Sequence, residues 1–229
     1  MMIQVPPFHT LQAPCDFYFV RHGESEANAG GRIQGHHDSP LSAVGRGHAA
    51  AAGEWFADRG IDAMVSSPLA RARETAGVIA ERLGLRAPET LAELIELNTG
   101  QYSGLTMDEV RTRDPGLYAR FRVRSWEAVP QAESIASLQR RAGAAWTRLI
   151  ELAARGHRRI VAVTHGGTIQ WLIKATIGAP QQPWMPIFKA SNCGIFLLRA
   201  ESTVPADGRP PDPGTGYYGI WELMNYLPY

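Results

Sequence analysis

The chain has 229 residues, 45% of them hydrophobic, enough to bury a sizeable core in one domain spanning 1–229. Its 23 Lys+Arg against 22 Asp+Glu leave a net charge of +1, so no broad field is available to recruit nucleic acid or a membrane surface. Two cysteines, Cys15 and Cys193, are too few for a disulfide framework and read as free thiols in a reducing compartment.

In chain order, residues 1–15 carry no Lys or Arg, and Pro6, Pro7 and Pro14 make them read as an extended N-terminal arm. No continuous apolar stretch is long enough for a signal peptide or a span, so the expected location is the cytoplasm. The aromatic and β-branched run 17–20 predicts a buried strand that delivers Arg21, His22, Gly23 and Glu24. A helix is predicted over 41–59, with Leu41, Gly45, Ala49, Ala52 and Phe56 on one face and Gly60 as its stop. Residues 61–67 form a second apolar run; Ser67 as N-cap and Pro68 at the first helical position put Arg71 in the opening turn of a helix. Residues 105–129 interrupt the alternation with polar, helix-like sequence broken at Pro115 and Gly116. The clearest helix covers 133–155, where Ile135, Leu138, Ala142, Ala145, Leu149 and Leu152 recur at helical spacing and Gly156 ends it. A third strand at 160–163 runs into Thr164, His165, Gly166 and Gly167, followed by a helix over 168–177. The C-terminal extension, 201–229, is rich in aromatics: Tyr217, Tyr218, Trp221, Tyr226 and Tyr229. Packing on the chain's own sheet is the expectation for it, with a homodimer contact or a pocket wall as alternatives. Alternating strand and helix signals point to an α/β unit.

The same arrangement therefore occurs three times: an apolar strand ending in a residue suited to phosphate. In open α/β sheets ligands sit at the carboxyl ends of strands. Arginine offers a planar fork to phosphate oxygens, a neutral imidazole can attack phosphorus, and a helix N-terminus attracts anions. Arg21, His22, Arg71 and His165 are the residues these motifs single out.

On these motifs, roughly residues 16–198 resemble the histidine phosphatase superfamily, also called the phosphoglycerate-mutase-like family. The resemblance implies a three-layer α/β/α sandwich with a mostly parallel central sheet and a small helical insertion, 105–129, over the active site. It implies that His22 becomes phosphorylated, that Arg21, Arg71 and His165 hold the phosphoryl oxygens, and that Asn28, Gly35 and Gly166 line the substrate side. The family places a carboxylic acid just before a Gly-x-aromatic-x-Gly segment, here Gly100 to Gly104; counting back four gives Glu96 as proton donor, with Glu93 as the competing assignment. Chemistry asks for such a group, because an alkoxide must be protonated on leaving and the attacking water must lose a proton. The expected activity is metal-independent hydrolysis of small phosphate monoesters through phosphohistidine, without a cofactor.

Departures from the family pattern bear on the branch. The mutases follow the acid with Arg and follow His-Gly with Asn, whereas this chain has Leu97 and Gly167, so hydrolysis is preferred over a cofactor-dependent phosphoglycerate mutase. A non-catalytic regulator binding phosphorylated ligands has no need of a nucleophile plus an acid. His48 and Ala132 also depart from the pattern, at positions that concern packing. Arg111, Arg113, Arg120, Arg122 and Arg124 read as a solvated face, with a grip on a second anionic group as the alternative. His36, His37 and Asp38 find no further ligand at zinc-like spacing and read as a loop lining the pocket, so no metal is expected. Gly214, Gly216 and Gly219 match a dinucleotide fingerprint literally but follow no strand, and read as a flexible connector.

Overall fold

The computed structural model describes residues 8–177, 188–202 and 217–229. Strand β1 (Cys15–Arg21) lies inside a six-stranded sheet, flanked by β4 (Arg159–Thr164) in parallel and β5 (Ile195–Ser202) antiparallel. On the far side of β4, β2 (Ala63–Ser66) and the two-residue β3 (Glu89–Thr90) continue the parallel half, and β6 (Tyr217–Tyr226) closes the other edge, for an order β3-β2-β4-β1-β5-β6. Both faces are covered, which is why β1 and β4 read as continuous apolar runs instead of alternating ones. Phe17 and Phe19 point into a cluster with α6 (Ile135–Ala154) and α7 (Gly166–Thr176); Tyr18 and Val20 point the other way, against α2 (Ala43–Phe56) and α3 (Ala70–Arg82). This is the expected three-layer sandwich.

Trp146 of α6 organises the first face. Its ring is fully buried and takes Phe8, Phe17 and Phe19 edge-on at 5.2–5.4 Å, while its Nε1–H donates to Leu172 O at 3.0 Å and so ties α6 to α7. The helix stripe expected over 133–155 is buried as read, with Leu152 only partly so, and Ser134 caps the helix through Ser137 N–H at 3.2 Å. On the other face, the expected stripe of α2, Gly45 to Phe56, is buried against α3, and Ser42 is its N-cap.

Residues 105–129 hold two short helices, α4 (Met107–Arg113) and α5 (Pro115–Arg124), which share Asp114 as the cap between them. They close on a separate apolar cluster of Tyr102, Val110, Leu117, Phe121 and Val129. The five arginines of this segment are exposed.

Three local expectations are corrected. The described part of the N-terminal arm is not extended: Phe8–Thr10 form a 3-10 turn, and Phe8 and Leu11 are buried in the core because Trp146 offers them an aromatic wall. Ser67 does not cap α3. The helix starts later, at Ala70 after Leu69: the Ser67 hydroxyl is shared between His165 Nε2 at 2.7 Å and Leu69 N–H at 3.3 Å, in the turn ahead of the helix. The connector reading of Gly214 and Gly216 lies outside the described residues, but Gly219 is within β6, paired with Ala200. The aromatic tail packs on its own sheet: Trp221 donates to Thr176 Oγ1 at 2.9 Å, Tyr226 meets Trp55, and Tyr229 stacks on His48 at 3.7 Å.

Glycines in α2 show how tightly the loop after β1 is seated. A Cβ on Gly45 would lie 2.0 Å from Glu24 O, whereas one on Gly47 would meet nothing within 4 Å. Gly45→Ala is therefore expected to lose about 1–3 kcal/mol through overpacking and to lower activity by displacing the Gly23–Glu24 backbone. Gly47→Ala, exposed in mid-helix, should gain about 0.5–1 kcal/mol. Urea denaturation of the two variants, with activity measured alongside, checks the contrast.

Candidate active site

Parallel pairing sets Arg21 of β1 opposite Thr164 of β4, so the next residue on each strand is a histidine at the same level of the sheet. His22 N–H donates to Thr164 O at 2.9 Å, and the His22 and His165 ring centroids are 5.1 Å apart. Arg71, in the first turn of α3, comes in from the side of β2. Its Nε donates to His22 Nε2 at 3.3 Å, and its two terminal nitrogens donate to Gly35 O at 2.8 Å and His37 O at 3.1 Å. Gly35 adopts φ +53, and a Cβ there would strike Thr99, so the turn that presents this carbonyl needs glycine.

The hydrogen bonds fix the His22 tautomer. Nδ1 lies 2.6 Å from Gly23 O, a carbonyl that can only accept, so Nδ1 carries the proton. Nε2 is the unprotonated nitrogen: its one lone pair accepts from Arg71, on a ring that lines the cavity. His22 is held well below its ordinary pKa of 6.5 by burial first and by Arg21 and Arg71 second. Burial likewise lowers His165, helped by His22 and the arginines. Burial pulls both guanidinium pKa values down as well, while Glu96 supports the charged form of each and Asp38 that of Arg71. Among the described residues, Arg21 Nε and His165 Nδ1 are buried without a hydrogen-bond partner. Two such donors beside a neutral imidazole suit an anionic, oxygen-rich group.

Glu96 sits across this cluster on the N-terminus of α7. Its carboxylate accepts from Leu97 N at 2.8 Å, Thr168 N at 3.1 Å and Gly167 N at 3.2 Å. A Cβ on Gly167 would come 2.6 Å from Glu96 Oε1, so the seat requires glycine. Arg141 fixes the segment before it, donating to Glu93 O and Ile95 O while paired with Glu133 at 2.8 Å.

These residues surround a cavity of about 360 Å³. Arg21, His22, Asn28, Gly35, Arg71 and Glu96 line it; Glu93 does not. Gly166 is not on the wall either. It is the first residue of α7, packed on the Arg21 side chain, and Gly167 lines the cavity instead. His165 is not among the lining side chains: it is fully buried beside His22, with Nε2 2.7 Å from Ser67 Oγ and Nδ1 without a partner among the described residues. Asn28 Oδ1 is engaged by Ser25 and by Asn192 Nδ2, which also donates to His22 O at 3.0 Å. His36 donates Nε2–H to Glu96 O at 2.7 Å and stands off the wall. The arginines of 105–129 do not reach the cavity; Ser125, Trp126 and Glu127 from that segment do. Arg141, Asn192, Thr168 and Lys174 were not singled out from sequence. For Lys174 a signal existed: Gly167, Gln170, Trp171 and Lys174 follow the i, i+3, i+4, i+7 spacing of one helix face.

A family model described as the histidine phosphatase superfamily (branch 1) matches residues 17–206. Glucosyl-3-phosphoglycerate phosphatase of Mycolicibacterium vanbaalenii is 34% identical over 210 residues, covering 89% of this chain and 90% of that protein. A probable phosphoglycerate mutase, GpmB, of Klebsiella pneumoniae is 37% identical over 180 residues, covering 78% and 81%. Among solved structures, a mycobacterial glucosyl-3-phosphoglycerate phosphatase superposes with a TM-score of 0.73 at 27% identity, covering 93% of this chain and 99% of that one.

Two buried neutral imidazoles link stability to pH. In the unfolded chain each titrates near 6.5, in the folded chain well below it, so between those values only the unfolded chain binds the protons. Stability is therefore expected to fall as pH drops below 6.5, by up to about 1.4 kcal/mol per pH unit per imidazole. Denaturation at about pH 7.5 and about pH 5.5 should show a smaller loss for His22→Asn/His165→Asn than for the parent; an equal loss would contradict the neutral assignment.

Proposed function

Because the chain belongs to the histidine phosphatase superfamily (branch 1), we propose that this cavity hydrolyses phosphate monoesters in two steps through phosphohistidine at His22. The observation that carries the reading is the His22 tautomer: Nδ1–H on Gly23 O and an unprotonated Nε2 that accepts from Arg71 beside the cavity. The chain is in this reading a phosphoric monoester hydrolase acting on small molecules, as the phosphatase among its relatives is named.

In the first step the monoester enters as its monoanion and passes its proton to the Glu96 carboxylate; His22 Nε2 attacks phosphorus, the P–O ester bond breaks, and Glu96 gives that proton to the departing oxygen. The Nδ1–H bond to Gly23 O stabilises the positive charge that develops on the ring. In the second step Glu96, now ionised, takes a proton from water as the water oxygen attacks phosphorus. The P–N bond breaks and His22 returns to its neutral form. Arg21, Arg71 and His165 hold the phosphoryl oxygens throughout, and removal of one preorganised donor costs about 3 kcal/mol in the transition state. Cations supplied by arginine make a metal unnecessary for this step. The two cysteines support a reducing, cytoplasmic setting: Cys15 and Cys193 are free and buried, their thiols pushed up to about 12 by burial. No described helix is long and apolar enough to cross a membrane.

A mutase reading is favoured by the GpmB relative's name, and Gly167 speaks against it: the backbone N–H there serves Glu96 and no side chain is available to grip a second substrate group.

Rapid quench during turnover should trap acid-labile phosphate on His22, and His22→Ala should lose both the trapped phosphate and hydrolysis of an aryl phosphate. Turnover of that ester by His22→Ala with no phosphoenzyme in the parent would overturn the mechanism.

With an alkyl phosphate, Glu96→Gln should slow phosphoenzyme formation by about 10²–10⁴-fold, and less with an aryl phosphate whose oxygen leaves readily. Glu93→Gln should resemble the parent with both. Stopped-flow comparison of the two esters decides between the two carboxylates.

A further inference from the structure

Lys174 is a cation on the cavity wall that hydrolysis at His22 leaves unused. It lies on α7, one helix face with Gly167, Gln170 and Trp171. Gly167 serves Glu96, and the Gln170 amide is taken by both backbone groups of Phe188. The Lys174 side chain is only 7% exposed, yet among the described residues it has no hydrogen bond or ion pair. The nearest described attraction is the Trp171 ring, 4.5 Å below the ammonium.

Of the three described carboxylates on the same wall, Glu133 is engaged by Arg141 and Glu96 by the α7 N-terminus, while Glu127 is exposed and makes no ion pair with Lys174. Arg32, the other cation outside the phosphoryl cluster, is already paired with Glu109 at 3.3 Å. Burial alone lowers the Lys174 pKa, with no acidic neighbour opposing it. An ammonium removed from water and faced only by an aromatic ring is under-compensated, and an anion entering the cavity would supply what hydration no longer does.

Placement along the helix sets the scale. From Gly167 to Lys174 the axis advances about 10 Å, and helical side chains lean toward the N-terminus, which brings the ammonium back toward His22. The cavity, about 360 Å³, is larger than a phosphoryl group requires, and Ile33, Leu97 and Trp126 give it an apolar wall for an organic spacer.

Resting on the phosphatase reading above, we propose that Lys174 determines specificity by binding a carboxylate on the body of the substrate, about 5–10 Å from the phosphoryl group. One ammonium suits a monoanion; a second phosphate would call for more donors than this part of the wall offers. The substrate class is thus carboxylated phosphate monoesters with a short apolar spacer.

The test uses three aryl phosphates on one scaffold: 4-(2-carboxyethyl)phenyl phosphate, its carboxamide, and the analogue carrying a second phosphate. The parent enzyme should prefer the acid to the amide by about 10-fold or more in kcat/KM, chiefly through KM, and should prefer it to the bisphosphate. In Lys174→Met, which keeps the buried stem, the acid-to-amide ratio should fall to about one, and Lys174→Arg should restore part of it. Lys174→Gln is the second neutral variant, with thermal melts to establish that each is folded. Equal use of acid and amide by the parent, or a preference that survives both neutral substitutions, overturns the proposal; a Lys174-dependent preference for the bisphosphate overturns the carboxylate assignment. Calorimetric titration of acid and amide into His22→Ala reads the same ratio without turnover. Absence of hydrolysis by the parent would thus count against the phosphatase reading, and loss of the binding preference against Lys174.

Discussion

The register of three parallel strands is the constraint on which the site depends. With Arg21 opposite Thr164, and Ser66 opposite Val163, the chain leaves β1 and β4 at one level and β2 one residue earlier, and His22, His165 and Ser67 converge there. A shift of one residue in β1 would turn His22 into the strand and reverse which of Phe17, Tyr18, Phe19 and Val20 face each helical layer. The two apolar clusters therefore enforce the register, and the register places the chemistry. Packing remote from the cavity acts on catalysis through this link.

Convergence of cations carries a cost that the structure offsets locally. Arg71 is 1% exposed and Arg21 partly buried, and among the described residues the one ion pair either makes is Arg71 with Asp38, at 3.7 Å. Backbone carbonyls take up much of the load: Gly35 and His37 on Arg71, Ala190 on Arg21. The imidazoles avoid the remaining repulsion by staying neutral, the protonation state that nucleophilic attack requires. The same burial that weakens the fold in acid thus keeps His22 in the form that the proposed attack needs.

What could be read from the sequence follows from how local each signal is. Arg21, His22, Arg71 and His165 were legible because strand ends and helix starts leave marks within a few residues. Glu96 needed the family pattern, since nothing near it in the chain shows that α7, 70 residues on, supplies its hydrogen bonds. Arg141 and Asn192 were invisible for the same reason: each acts through carbonyls brought close only by folding. The β6 strand was hidden differently. A bulge between Leu197 and Leu198 sends Trp221 to the α6–α7 face and Leu223 to the α2–α3 face, while Ile220 and Met224 remain exposed, so no simple alternation survives. Ser67 was misread because its hydroxyl serves a tertiary partner, and tertiary partners override local capping preference.

Gly167 shows how closely one small residue is tied to the seat of a carboxylate. From the sequence, glycine where the mutases carry asparagine looked like the loss of a polar contact. In the fold it is a steric requirement: Glu96 Oε1 occupies the space a Cβ would need, and Leu97 Cβ stands 3.3 Å from the same point. An asparagine there would displace the carboxylate from the N-terminus of α7, where its hydrogen bonds with Gly167, Thr168 and Leu97 hold it. The acid seat and the identity of residue 167 are therefore coupled, and the Leu97 side chain, buried against the same helix start, belongs to that coupling. Substitution of any one of the three is therefore expected to disturb the seat of the Glu96 carboxylate first.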